Sequence, residues 1–297
     1  MLDKISLRRS LLGIPGNERQ LVSGAIDSNA DEIFLDLEDS LAPGEKAAAR
    51  STLIDIVANH DWTERGVSYR INGTDTRWWY DDIIEVVDSV GSDIDTVIIP
   101  KVRDRSEVQV VEKLLASAET NAGLETGSIG LSAQIETAEG MNAVTDIAHA
   151  SDRLTAIIFG PADYAASIGA AHGATDYPGH YWHYPLSRLS HAAASAGLLA
   201  IGGPFTDDDP DAFDRACRYE RALGYDGKVV IHPEQVTTAN EVFAPDQAEA
   251  RRAKEIVEKY EAADPGALVA IDGNVIDREM YQMAHRILTR AEAADLI

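Results

Sequence analysis

Eight short apolar runs, each closed by Gly, Pro or a charged residue and followed by a segment of helical period, constrain this chain more than any other feature. They are Ser10–Gly16, Glu32–Asp39, Val67–Gly73, Thr96–Lys101, Gly130–Thr137, Leu154–Gly160, Leu198–Pro204 and Gly227–Pro233. Between them, Glu107–Ala118 spaces Val108, Val111, Leu114 and Leu115 as a helix does, and Arg188–Ala196 and Asp211–Leu223 read the same way. Strands that alternate with helices pair in parallel through right-handed crossovers. An open doubly wound sheet competes, but no GxGxxG follows the first strand, and eight such units point to a closed ring. The expected fold is therefore α/β, a (β/α)8 TIM barrel over residues 1–240 with a C-terminal helical extension over 241–297. In that extension Ala248–Ala262 reads as a charged helix, Leu268–Asp272 as a short apolar run ended by Gly273-Asn274, and Asp277–Ala294 as a final helix.

Composition narrows the function. Asp and Glu total 50 against 26 Lys and Arg, a net charge of −24, so the basic footprint of a nucleic-acid binder is absent. A hydrophobic content of 45% with regular periodicity separates the chain from acidic disordered proteins. No stretch approaches the ~20 apolar residues of a membrane span, and Met1-Leu2-Asp3-Lys4 lacks the basic start and apolar core of a signal peptide. The expected location is cytoplasmic, with neither membrane nor nucleic acid as partner. The single cysteine, Cys217, excludes an intramolecular disulfide and reads as a small buried residue of a helix. Seven lysines against nineteen arginines, with dispersed acidic charge, suit a halophilic protein whose self-repulsion is screened by salt.

In β/α barrels the functional side chains lie at the C-terminal ends of strands and in the loops just beyond. That rule selects Glu38 and Asp39, Arg70 and Asn72, Lys101, Glu136, Asp163 and His232. Glu136 and Asp163 follow neighbouring strands, so their carboxylates converge at the mouth. Two carboxylates with open positions suit Mg²⁺, with Mn²⁺ as a substitute, whereas taken singly each reads as a helix-start residue. No zinc spacing is present. Arg70 lies inside a β-forming run and needs a carboxylate partner, for which Glu38 or Asp39 serves. It either holds the rim together or faces the pocket to stabilise an oxyanion. Lys101 reads as a carboxylate-binding residue rather than a Schiff-base nucleophile. The aromatic stretch Asp176–Arg188 is a long loop at the catalytic face, suited to a lid, a ligand contact or subunit packing.

Several motifs follow one another in order: Arg8-Arg9-Ser10 with Pro15-Gly16, Leu35-Asp36-Leu37-Glu38-Asp39, and Arg70-Ile71-Asn72-Gly73. Pro100-Lys101-Val102, Ile135-Glu136-Thr137, Phe159-Gly160-Pro161-Ala162-Asp163, Gly224-Tyr225-Asp226-Gly227-Lys228 and Ile231-His232-Pro233 complete the series. The series resembles the HpcH/HpaI aldolase/citrate lyase β-subunit superfamily over nearly the whole chain. The run from Gly160, the aromatic loop and Asp272-Gly273 are most similar to the L-malyl-CoA/β-methylmalyl-CoA lyases within it. The resemblance implies Mg²⁺ on Glu136 and Asp163, and substrate contacts from Arg19, Arg70, Ala162, Asp163 and His232. It also implies catalysis by Arg70 and by Asp272, the latter reaching a neighbouring subunit's site from the 241–297 extension of a homotrimer or homohexamer. The implied reaction is reversible cleavage of a coenzyme A thioester, malyl-CoA or β-methylmalyl-CoA, to glyoxylate and a shorter acyl-CoA. A malyl-CoA thioesterase and a citryl- or citramalyl-CoA lyase are the alternatives on the same scaffold. Three departures stand out: Gly13 replaces an aromatic residue frequent in relatives, the loop Pro15-Gly16-Asn17-Glu18-Arg19 is a residue shorter than the usual form, and Gly202 replaces an aspartate, which is expected to alter the pocket rim.

Overall fold

The structure, a computed structural model, describes residues 7–170, 182–263, 269–271, 273–294, 296 and 297. The chain divides into two compact units, Arg8–Phe243 and Ala244–Ile297. In the first, all eight expected strands form: β1 (Ser10–Pro15), β2 (Glu32–Asp36), β3 (Gly66–Arg70), β4 (Thr96–Ile99), β5 (Gly130–Ile135), β6 (Leu154–Phe159), β7 (Leu199–Gly202) and β8 (Gly227–Val230). They close in sequential order with every neighbouring pair parallel. The pairing that excludes an open sheet is β1 with β8, where Ser10 stands opposite Lys228 and Leu12 opposite Val230.

The apolar runs are near-continuous because both faces of each strand are covered. One set of alternate residues fills the barrel: Leu11, Phe34, Ile98, Ile158, Ile201 and Val229 form a cluster of their own. The other set packs outward against the helices, with Leu12, Ile33, Leu35, Val97 and Ile157 joining Leu53, Val86, Val111 and Val144. At the N-terminal end Arg8 is buried and donates to Glu32 (2.9 Å), Ser132 and Thr155 (each 3.1 Å), while the Ser68 hydroxyl donates to Glu32 at 2.6 Å. A buried ion pair this well hydrogen-bonded closes the barrel floor without leaving either charge unpaired.

The outer helices are α1 (Arg19–Ile26), α2 (Lys46–Ala58), α3 (Trp79–Val90), α4 (Arg105–Asn121), α5 (Ala138–Ala148), α6 (Pro161–Ile168), α7 (His183–Ala196), α8 (Pro210–Ala222) and α9 (Pro233–Phe243). Three of them, α4, α5 and α8, start on a side-chain cap. Asp104 accepts from the Ser106 N–H at the head of α4, and Asp209 caps α8 just before Pro210. Several strands end sooner than their apolar runs. Since β2 stops at Asp36, β3 at Arg70 and β5 at Ile135, the residues Glu38, Asn72 and Glu136 sit in the first positions of the loops. Among the described residues no helix is long and apolar enough to cross a membrane.

The second unit holds α10 (Gln247–Glu261), a hairpin of β9 (Val269–Ile271) and β10 (Asn274–Ile276), and α11 (Arg278–Ala293). Asp246 and Glu249 form a reciprocal capping box at α10, and Asp277 caps α11. Ala253, Ile256, Val257, Val269, Ile271, Ile276 and Ala284 make its core. The two helices match expectation. The second hairpin strand does not: Asn274–Ile276 is three residues long, too short to show a period.

Candidate active site

The C-terminal ends of β2, β3, β4 and β5 carry one bonded line of side chains. Arg70, the last residue of β3, stands opposite Asp36, the last residue of β2. Its Nε and Nη2 donate to the two Asp36 oxygens, both at 2.8 Å. Its Nη1 donates to Gln134 Oε1 at 3.3 Å, and the Gln134 amide in turn donates to Glu136 Oε2 at 2.6 Å. Glu136 Oε1 accepts from the backbone N–H of Lys101 at 2.8 Å. Lys101 holds a left-handed backbone, φ +53°, which aims that N–H across from the β4 loop at the carboxylate. Such a conformation costs a non-glycine residue roughly 1–3 kcal/mol and persists where its surroundings over-determine it. Here the Lys101 ammonium is fixed as well, clamped between Glu38 and Asp39.

The electrostatics follow from burial. Glu136 is 1% exposed, and burial pushes its carboxyl up to about 7; Arg70 and the Lys101 N–H oppose the shift while Glu38 and Asp163 add to it. Burial also raises Glu38, against the pull of Arg70. Asp36 goes the other way: burial would raise it, but the charge and hydrogen bonds of Arg70 hold it below the usual carboxylate range. Burial would lower the ammonium of Lys101, yet its hydrogen bonds to Asp39 and Glu38 keep it above the ordinary lysine range. A lysine held so firmly charged is no Schiff-base nucleophile.

Asp163 lies in the first turn of α6, which opens directly after β6 through Gly160 and Pro161, with Ala162 beside it on the exposed side. Gly160 has a specific reason to be glycine. A β-carbon there would stand 2.2 Å from Glu136 Oε2, so the carboxylate occupies that space. With every group charged, Asp36, Glu38, Asp39, Glu136 and Asp163 face Arg70, Lys101 and Lys46, whose ammonium sits on the carbonyls of Leu37 and Glu38. The surplus of two negative charges, on oxygen ligands from two neighbouring strand ends, fits a divalent hard cation. Among the described residues no group of three or more His, Cys, Asp or Glu is arranged to hold a metal.

The sequence-selected residues divide. Arg70, Glu136, Glu38, Asp39 and Lys101 come together, with Asp163 near enough to act on Glu136. The main partner of Arg70 is Asp36 rather than Glu38 or Asp39; Glu38 makes only a 3.5 Å ion-pair contact with it, and Asp39 pairs with Lys101. Asn72 is turned away from the mouth, its backbone N–H and its amide donating to Asp82 of α3 at 2.9 and 2.7 Å. Arg19 is half-exposed and paired with Asp55 at 2.6 Å. His232 is largely exposed, its Nδ1 accepting from the Glu234 N–H at 3.3 Å. Asp272 and residues 176–181 of the aromatic stretch lie outside the described residues; from His183 to Arg188 that stretch is helix α7 rather than the expected loop. Gly202 does not shape the pocket rim: it faces α8, where the Glu220 carboxylate, paired with Lys228 at 2.5 Å, fills the space a side chain would take. Cys217 is buried, and burial pushes its thiol up to about 12, which leaves it unreactive.

Known proteins resemble the chain over nearly its whole length. Residues 9–233 match the family model for HpcH/HpaI aldolase/citrate lyase. The chain is 37% identical to the L-malyl-CoA/β-methylmalyl-CoA lyase of Rhodobacter capsulatus, over 97% of its own length and 96% of the relative's. It is 32% identical to the citrate lyase β-subunit of Escherichia coli, over 99% and 96%. A solved citrate lyase β-subunit from M. tuberculosis, complexed with oxaloacetate and magnesium, superposes with a TM-score of 0.68 at 25% identity, covering 82% of this chain and all of that one. The chain is an enzyme that belongs to the HpcH/HpaI aldolase/citrate lyase family.

Proposed function

We propose that this enzyme reversibly cleaves a 3-hydroxyacyl-CoA, malyl-CoA or β-methylmalyl-CoA, to glyoxylate and acetyl-CoA or propionyl-CoA, with Mg²⁺ as its cofactor. The observation that carries the reading is the bonded line from Asp36 through Arg70 and Gln134 to Glu136. It sets a guanidinium suited to an enolate oxygen one amide away from a buried carboxylate that is short of positive charge. The 37% identity to a lyase of this specificity over nearly the full chain supports the choice of substrate.

Glu136 and Asp163 would hold Mg²⁺, which when bound would supply Lewis-acid polarisation at the carbon that becomes the aldehyde. The chain's own groups do the rest. In cleavage the C3 hydroxyl proton passes to solvent water, the C3–O bond becomes the aldehyde carbonyl as C2–C3 breaks, and the released electron pair passes through C2 to the thioester oxygen. Arg70, rigid between Asp36 and Gln134, stabilises that developing enolate oxygen without reorganising. Asp272 of a neighbouring copy delivers the proton to C2 in cleavage and removes it in synthesis. The first-turn N–H groups at Ala162 and Asp163 receive the substrate carboxylate, and Arg19 and His232 contact the coenzyme A portion.

The deciding experiment incubates malyl-, β-methylmalyl-, citramalyl- and citryl-CoA separately with enzyme and Mg²⁺ and identifies the products. Glyoxylate from the first two is expected. Free malate and coenzyme A without glyoxylate would make the protein a thioesterase instead. Turnover confined to the last two would reassign the acyl group.

A further inference from the structure

Gly13 and Phe34 form one structural feature. They stand opposite each other in the β1–β2 ladder, and Phe34 belongs to the cluster that fills the barrel. A β-carbon on Gly13 would lie 2.6 Å from Phe34 Cζ and 2.7 Å from Cε1, so the tip of the ring occupies the space of any side chain at position 13. Phe34 is buried, 7% exposed. The guanidinium carbon of Arg70 sits 5.9 Å from the ring centre, within the range of a cation–π contact. Phe34 and Asp36 lie two apart on one strand and so share a face. β2 therefore offers the same arginine both a carboxylate at its edge and an aromatic surface.

We infer that Phe34 is a positioning residue for Arg70, and that position 13 is glycine because the ring requires its volume. The inference rests on the role of Arg70 in the proposed lyase reaction. Asp36 and Gln134 bind the guanidinium through its N–H groups, which sets its reach. The ring supports it from the barrel interior, which keeps it from sinking away from the mouth. Leucine at 34 would preserve apolar packing but remove the aromatic face; a methyl group at 13 would push the ring off its seat.

The test uses the full-length, Mg²⁺-loaded enzyme with Phe34→Leu, Gly13→Ala and Arg70→Lys, singly and combined. Phe34→Leu is expected to lower kcat about tenfold. KM for the thioester should stay within about twofold and Mg²⁺ affinity, measured by calorimetry, should not change. Gly13→Ala should lower kcat as well, and combining it with Phe34→Leu should be no worse than Phe34→Leu alone. In the Arg70→Lys background Phe34→Leu should alter kcat by less than about twofold, because its effect passes through the guanidinium. Wild-type kcat in Phe34→Leu, or the same tenfold loss in the Arg70→Lys background, would overturn the inference. Should Gly13→Ala fail to fold, the Phe34 and Arg70 series decides alone. If the wild type releases no glyoxylate, the proposed reaction fails, and the Phe34–Arg70 coupling is read without substrate. Non-additive urea midpoints in the double-mutant cycle then uphold the positioning role, and additive midpoints reject it.

Discussion

Glu136 is held where neither water nor a full counter-charge reaches it, and its proton is the consequence. The folded protein keeps that proton up to about pH 7, whereas an ordinary glutamate releases it near 4.5. Between these values the folded state binds more protons than the unfolded one, so this group's contribution to stability is present at the acidic end and lost as pH rises. The metal-free enzyme is therefore expected to lose melting temperature from about pH 4.5 to about pH 7. Mg²⁺ should restore it most at the alkaline end, where the carboxylate is ionised. Glu136→Gln should make the slope shallower and remove the Mg²⁺-induced gain, while Glu38, also raised by burial, keeps its own share of the slope; scanning calorimetry across pH with and without Mg²⁺ measures both. Gly160→Ala tests the same pocket from the other side: its methyl group would meet Glu136 Oε2. Mg²⁺ affinity should fall at least about tenfold, and overpacking should remove about 1–3 kcal/mol of stability. Legibility at this scale was uneven. Glu136, Asp163 and Arg70 stand out because charge at a strand end is conspicuous. Asp36 and Gln134 escaped notice although each lies two positions before a selected residue, Asp36 before Glu38 and Gln134 before Glu136. Counting back two positions from each candidate would have found both.

At the scale of elements, the strand list was readable because eight both-face-buried runs leave an unbroken apolar signature, and the ladder confirms each of them. The strand ends were not readable, since the chain leaves the barrel while still apolar, as at Leu37 and Ile71. Hydrogen bonding rather than hydropathy decides where a strand stops. Between helix and strand, one pair has no expression in periodicity at all: Lys228 of β8 reaches Glu220 of α8, both buried. Lys228→Met would strand the Glu220 carboxylate in the space beside Gly202, and about 3–5 kcal/mol of stability should be lost. Replacing both, Lys228→Met with Glu220→Leu, should recover most of it. Urea unfolding of the single and double variants separates the two outcomes.

For the whole molecule, a net charge of −24 with few lysines predicts a salt requirement. The melting temperature should rise steadily with KCl from about 0.1 M to about 1 M as like charges are screened; a flat response would remove the halophilic reading. Assembly is testable by complementation. Asp272→Ala and Glu136→Ala should each be inactive alone, yet mixed oligomers refolded together should regain activity if the tail of one copy serves the barrel of another. A mixture that stays dead would confine Asp272 to its own chain. One further property follows from the way the barrel shuts. The strand carrying Ser10 hydrogen-bonds to the strand carrying Lys228, and the Arg8 floor joins Glu32 to Ser132 and Thr155. During synthesis, then, the first strand to leave the ribosome has only one of its two neighbours until the eighth emerges. The ring is therefore completed by two strands far apart in the chain, a closure that local contacts alone cannot make.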